Sequence, residues 1–173
     1  PNGAEAGRQV QHGLGGRAHV GAAVFGALFE PAHPVVRNLR EALDVGARVV
    51  LVGSGFGGTG VGAMMALHMA LRCAEKRGGS VHAMVMPPYF EQGEDAGELA
   101  LRTQLAERAL RSAGVVLLPM AASDGLSPLP NHGRSGRAQC NPSMAQELTA
   151  ASVLLAHLTG EEPVTALSPA HLN

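Results

Sequence analysis

Three features of the sequence predict an α/β domain in which a short parallel sheet carries helices on its faces. Short apolar runs rich in β-branched residues recur at Arg48–Val52, Ser80–Met86 and Val115–Leu118. Between them lie longer segments whose apolar residues return at helical intervals. Each run stops at Gly or Pro, as a strand does where it meets a loop. Strands that are apolar throughout are buried on both faces, and parallel strands need a helix to cross back. Strands alternating with helices therefore predict a parallel sheet in three layers.

The elements follow in order. Residues 1–12 show no periodicity, and Gly13, Leu14, Gly15 and Gly16 make a turn-like stretch. Val20–Phe29 reads as a short helix closed by Pro31 and Pro34. Pro34 suits the first turn of the next helix, whose apolar face is Val35, Val36, Leu39 and Leu43 and whose stop is Gly46. A buried strand covers Arg48–Val52. Gly53–Gly60 is then a loop with five glycines in eight residues. The spacing of Met64, Leu67 and Leu71 predicts a helix over 61–77, stopped by Gly78 and Gly79.

The second strand, Ser80–Met86, halts at Pro87 and Pro88. Glu94 and Asp95 open a helix with carboxylates at its positive end, and Leu99, Leu101, Leu105, Ala109 and Leu110 are its expected buried face. Gly114 ends it before the third strand. A loop rich in Ser, Pro, Gly and Asn runs to residue 141. Asn141 as cap and Pro142 at the first position then start a last helix to Leu158. Residues 160–173 read as an irregular end. Met64, Met65, Met69, Met84 and Met86 are expected to fill the core.

Composition narrows the function classes. The 173 residues suit one domain, and 46% hydrophobic against 16% charged residues exclude a disordered chain. A net charge of -1 gives no electrostatic case for a nucleic-acid partner, and 3% aromatic residues offer few stacking platforms. Cys73 and Cys140 have no zinc-type spacing, and the eight histidines form no HxH or HExxH pair, so no metal site is expected. Apolar segments are interrupted by Gly or Arg and no signal peptide is visible, so the expectation is a cytoplasmic protein without a membrane span.

The glycine loop carries the functional signal. A strand running through glycines into a helix presents unsatisfied backbone N–H groups at the positive end of a dipole, which suits a phosphate. Gly53, Gly55 and Gly58 satisfy GxGxxG, the fingerprint of a flavin- or NAD(P)-binding Rossmann oxidoreductase. That fingerprint also expects an acid at the end of the next strand, where this chain has Met86, Pro87 and Pro88, with Glu91 beyond.

A second pattern accounts for more of the glycines. Phe56-Gly57-Gly58-Thr59-Gly60-Val61-Gly62-Ala63 resembles the tubulin and FtsZ signature GGGTGTG followed by Ala or Ser. Residues 36–52 resemble the helix and strand before that signature. Residues 80–93 resemble the next strand and its Pro-Phe-x-Phe-Glu-Gly turn, and residues 99–120 the following helix and strand. The resemblance spans roughly residues 13–158, with Phe56 in place of the first signature Gly and Val61 in place of a hydroxyl residue. It implies a three-layer, Rossmann-like tubulin/FtsZ nucleotide domain that binds GTP or GDP with Mg2+. In its fuller form it implies GTP hydrolysis and self-assembly into a homo-oligomer. By this resemblance Gly57, Gly58, Thr59, Gly60 and Gly62 bind phosphates, and Gly15 and Gly16 lie near the terminal one. Glu91 approaches the ribose, and Asn141 reads the guanine edge through its carboxamide. No residue is assigned a catalytic role. A third reading is a non-catalytic interaction module that keeps the fold without the ligand.

Overall fold

The computed structural model describes residues 14, 17–72, 78–89, 96–118, 120 and 145–160. The elements are α1 (Ala18–Leu28), α2 (Pro34–Asp44), β1 (Arg48–Ser54), α3 (Gly58–Leu71), β2 (Ser80–Met86), α4 (Ala96–Ser112), β3 (Val116–Leu118) and α5 (Ala145–Thr159). The three strands form one parallel sheet in the order β1-β2-β3, with Arg48 opposite Ser80 and His82 opposite Val116.

Local chemistry sets the helix ends. His33 caps α2 by accepting the Val35 N–H at Nδ1 (3.3 Å), ahead of Pro34. Helices α2 and α4 end alike. Gly46 and Gly114 take left-handed backbone angles (φ +84° and +89°), which glycine adopts without strain. Their N–H groups donate to Leu43 O and Arg111 O, while Ala47 N–H and Val115 N–H reach back to Ala42 O and Leu110 O. That double bond pattern is the Schellman stop, and each one delivers the chain directly into a strand. Two arginines satisfy the last carbonyls of neighbouring helices: Arg40 donates to Ala70 O of α3, and Arg48 to His157 O of α5.

Strand alternation divides the core in two. Val49, Leu51, Val81, Ala83 and Val85 face Val36 and Leu43 of α2, Met64 and Leu71 of α3, and Leu110 of α4. Met84, Met86 and Leu118 face Ala150 and Val153 of α5. Among the described residues, one face of the sheet therefore carries three helices and the other carries α5, and Val52 is about half exposed at 49%.

Several expectations change. Helix α3 begins at Gly58, inside the segment read as loop, because a glycine-rich turn can enter a helix as soon as packing holds it. Leu101 and Leu105 are exposed, at 54% and 53%, and the buried face of α4 is Thr103, Ala106 and Leu110. These lie three and four residues apart on a face rotated from the leucine stripe. At Thr103 a small side chain is needed because it lies directly against Gly55 of the loop. Met69 is also exposed, whereas Met64, Met84 and Met86 are core residues. Asn141, Pro142 and the expected acidic start of α4 lie outside the described residues. Among the described residues no helix is long and apolar enough to cross a membrane.

Candidate functional site

The site is built at the carboxyl end of β1. Gly55 leaves the strand and donates its N–H to Met86 O at 2.9 Å, which fastens the loop to the end of β2. Gly57, in extended conformation (φ -94°, ψ 142°), is the cap residue of α3, and Gly58 is its first residue.

Most of these glycines are required by packing. A Cβ on Gly21 of α1 would overlap the Gly58 carbonyl oxygen, and a Cβ on Gly62 would overlap the Gly21 backbone. A Cβ on Gly58 would lie 2.8 Å from both Arg17 N and Arg17 O. Gly58 and Gly62, four residues apart, share one helix face and let α1 approach α3 backbone to backbone. Gly60 would meet Ser54 O at 2.6 Å, and Gly55 would meet Val85 Cγ1 at 2.6 Å and Thr103 Cγ2 at 2.7 Å. Gly57 differs: its Cβ would meet only the Ser54 hydroxyl oxygen at 2.8 Å, a side-chain end that can turn away.

The same contacts fix the relative direction of α1 and α3. Arg17 lies at Gly58, and Gly21 lies between Gly58 and Gly62, so the two helices run the same way with their amino ends side by side. Neither N-cap residue, Arg17 nor Gly57, makes a side-chain cap hydrogen bond, and neither first turn contains an acidic residue. Each end carries roughly half a positive charge. Like ends placed together repel, so this corner of the molecule is electropositive from backbone alone.

A cleft of ≈ 260 Å³ opens beside this corner. Its lining includes His19 of α1, Phe56 and Gly57 of the loop, Val61 of α3, and Arg102 and Leu105 of α4. Arg102 pairs with Glu98 one turn earlier on α4. Most of the lining is apolar, and the side chains of His19 and Arg102 are the polar ones among the residues that line it.

Of the residues named from sequence, Gly57, Gly58, Thr59, Gly60 and Gly62 are together at this corner, with Thr59 exposed and Gly58 and Gly62 buried. Gly53 lies within β1, and Gly55 is buried under α4. Gly15, Gly16, Glu91 and Asn141 lie outside the described residues. His19 and Arg102 were not found from sequence. Arg102, Leu105, Ala106 and Ala109 share one helix face, but nothing local shows that this face looks at the glycine loop.

A second hollow of ≈ 450 Å³ lies under α5, lined by Val52, Met84, Met86 and Leu154. At its rim the Tyr89 hydroxyl donates to Glu147 Oε1 at 3.2 Å. Burial first, and the neighbouring Glu147 carboxylate second, push the Tyr89 phenol above its ordinary value of 10.0. Among the described residues no group of three or more His, Cys, Asp or Glu is placed to hold a metal ion. Comparison with protein-family models, curated proteins and solved structures found no match.

Proposed function

We propose that this domain binds a guanine nucleotide, with its phosphates at the shared amino ends of α1 and α3. The observation that carries this reading is the pairing of those two helix amino ends at the carboxyl end of a parallel strand. An anion there would accept backbone N–H groups and offset the repulsion of two like dipole ends. Ligands of open parallel sheets sit at that edge.

Guanine is the base suggested by the likeness of residues 56–63 to the tubulin and FtsZ signature; the parallel run β1-β2-β3 with its intervening helices is compatible with that family and with a dinucleotide fold alike. In this reading Gly57 and the N–H groups of Gly58 and Thr59 touch phosphate. Gly60 and Gly62 act indirectly, by holding α3 against β1 and α1. Gly15 and Gly16 at the terminal phosphate, Glu91 at the ribose and Asn141 at the base complete the reading. GTP hydrolysis with Mg2+ and head-to-tail assembly are its furthest extension. The dinucleotide alternative has less support, since β2 ends at Met86 and continues into Pro87 and Pro88 without a carboxylate for a ribose.

The test is to denature the purified protein and chromatograph what it releases, then to follow thermal unfolding with GTP, GDP and ATP in the presence of magnesium. Guanine nucleotide in the released fraction, or a rise in Tm with GTP and GDP beyond that with ATP, is expected. Release of flavin or nicotinamide would replace this reading with the dinucleotide one. No release and no shift with any nucleotide would leave the fold without this function.

A further inference from the structure

We propose that Arg102 is a switchable phosphate contact, held by Glu98 in the structure described here and handed to a phosphate oxygen when the nucleotide binds. The proposal rests on the phosphate reading of the cleft. It concerns a residue outside the glycine signature and on a different helix.

Packing fixes where Arg102 stands. Because Gly55 has no side chain, Thr103 of α4 comes directly onto the loop. Thr103 is buried, and its hydroxyl donates to Leu99 O at 3.0 Å, so it spends its polar group inside its own helix. The next residue back, Arg102, is turned about 100° around the helix. It leaves the packed face and lines the cleft together with Gly55, Phe56 and Gly57. The loop and the arginine are thus held in register by the Gly55–Thr103 contact.

The present partner of Arg102 is easily exchanged. The side chains of Arg102 and Glu98 are 35% and 58% exposed, and a solvated pair one helical turn apart is weak. Glu98 also sits in the first turn of α4, where the helix dipole favours a carboxylate whether or not the arginine stays. A guanidinium binds a phosphate through two parallel N–H donors, and a phosphate carries more charge than one carboxylate. Glu98 therefore acts as a holder that keeps Arg102 extended at the cleft and competes with the ligand for it.

The test compares Arg102→Gln, Arg102→Lys and Glu98→Gln with the parent chain by titration calorimetry, using GDP and inorganic pyrophosphate as probes. Arg102→Gln is expected to weaken binding of both probes by about tenfold, with a shallower dependence on salt. Arg102→Lys should recover part of the loss, since it keeps the charge but not the paired donors. Glu98→Gln should tighten binding by about two- to fivefold, because it removes both the competitor and a negative charge. Both Gln variants break the same ion pair, so a merely structural pair would move them in the same direction, and opposite shifts carry the proposal. If the parent binds the probes and the two variants shift together, or neither shifts, the switch is wrong and the phosphate reading stands. If the parent binds neither probe, the phosphate reading falls and takes the switch with it.

Discussion

A glycine can be present because a ligand must approach the backbone or because another part of the chain already does. Both occur within six residues here. Gly58 and Gly62 are pressed against the backbone of α1, and Gly60 against Ser54, so side chains are excluded by packing alone. Gly57 has room for one at the cost of turning the Ser54 hydroxyl. Alanine substitutions should separate the two cases. Gly58→Ala or Gly62→Ala gains up to about 1 kcal/mol of helix propensity and incurs an overpacking cost of about 1–3 kcal/mol against atoms that cannot yield, so a net loss is expected. Gly26, on α1 with nothing within 4 Å of a built Cβ, should instead gain about 0.5–1 kcal/mol as alanine. Gly57→Ala should leave urea-unfolding stability within about 1 kcal/mol and weaken nucleotide binding. A Gly57→Ala variant that unfolds early, or a stable Gly62→Ala variant, would contradict this division.

At the scale of elements, α4 shows how an apolar stripe can mislead. Leu101 and Leu105 are exposed, whereas Leu110 is fully buried between the sheet and its helical layer. Leu110→Ala should cost about 2–5 kcal/mol in denaturant unfolding, and Leu101→Ala should lie within about 0.5 kcal/mol of the parent. Equal effects would mean that α4 is rotated from the orientation described. Helix α5 is attached to the sheet by Ala150 and Val153, by the Arg48 donor at its carboxyl end, and by the Tyr89–Glu147 hydrogen bond near its start. Tyr89 is the single tyrosine of the chain, so its titration can be read directly from phenolate absorbance. Folding holds its proton, so this contact stabilises below the ordinary value of 10.0 and the stability is lost as pH rises through the higher folded value. Glu147→Gln should lower that midpoint while leaving it above 10.0, since burial is the larger cause. An unchanged midpoint would show that Glu147 does not act on Tyr89.

At the scale of the molecule, the described residues load the sheet unevenly: three helices on one face and α5 on the other. The proposed phosphate corner belongs to the heavily covered side, where α1, α3 and α4 meet over the loop. In the proposed reading, this coupling makes nucleotide binding a global stability effect. A ligand at a hundred times its Kd adds about 2.7 kcal/mol, which for a chain of this size is a Tm rise of about 5–10 °C. High salt should reduce the rise, because much of the attraction is electrostatic.

The sequence by itself determined the strands, the parallel α/β class and the stops of α2 and α4. Those depend on local properties: unbroken β-branched runs at Ser80–Met86, and glycines at residues 46 and 114 whose left-handed backbone closes a Schellman turn. It also marked the glycine loop as exceptional. Only the tertiary structure decided what each glycine in that loop is for, because the atoms that exclude a side chain at Gly58 and Gly62 belong to α1, some 40 residues earlier. It also placed Arg102 beside the loop through the contact of Gly55 with Thr103, a meeting of residues 48 positions apart. Local periodicity records which residues share a helix face. It does not record which face turns toward which neighbour, since that is fixed by close packing between segments distant in the chain.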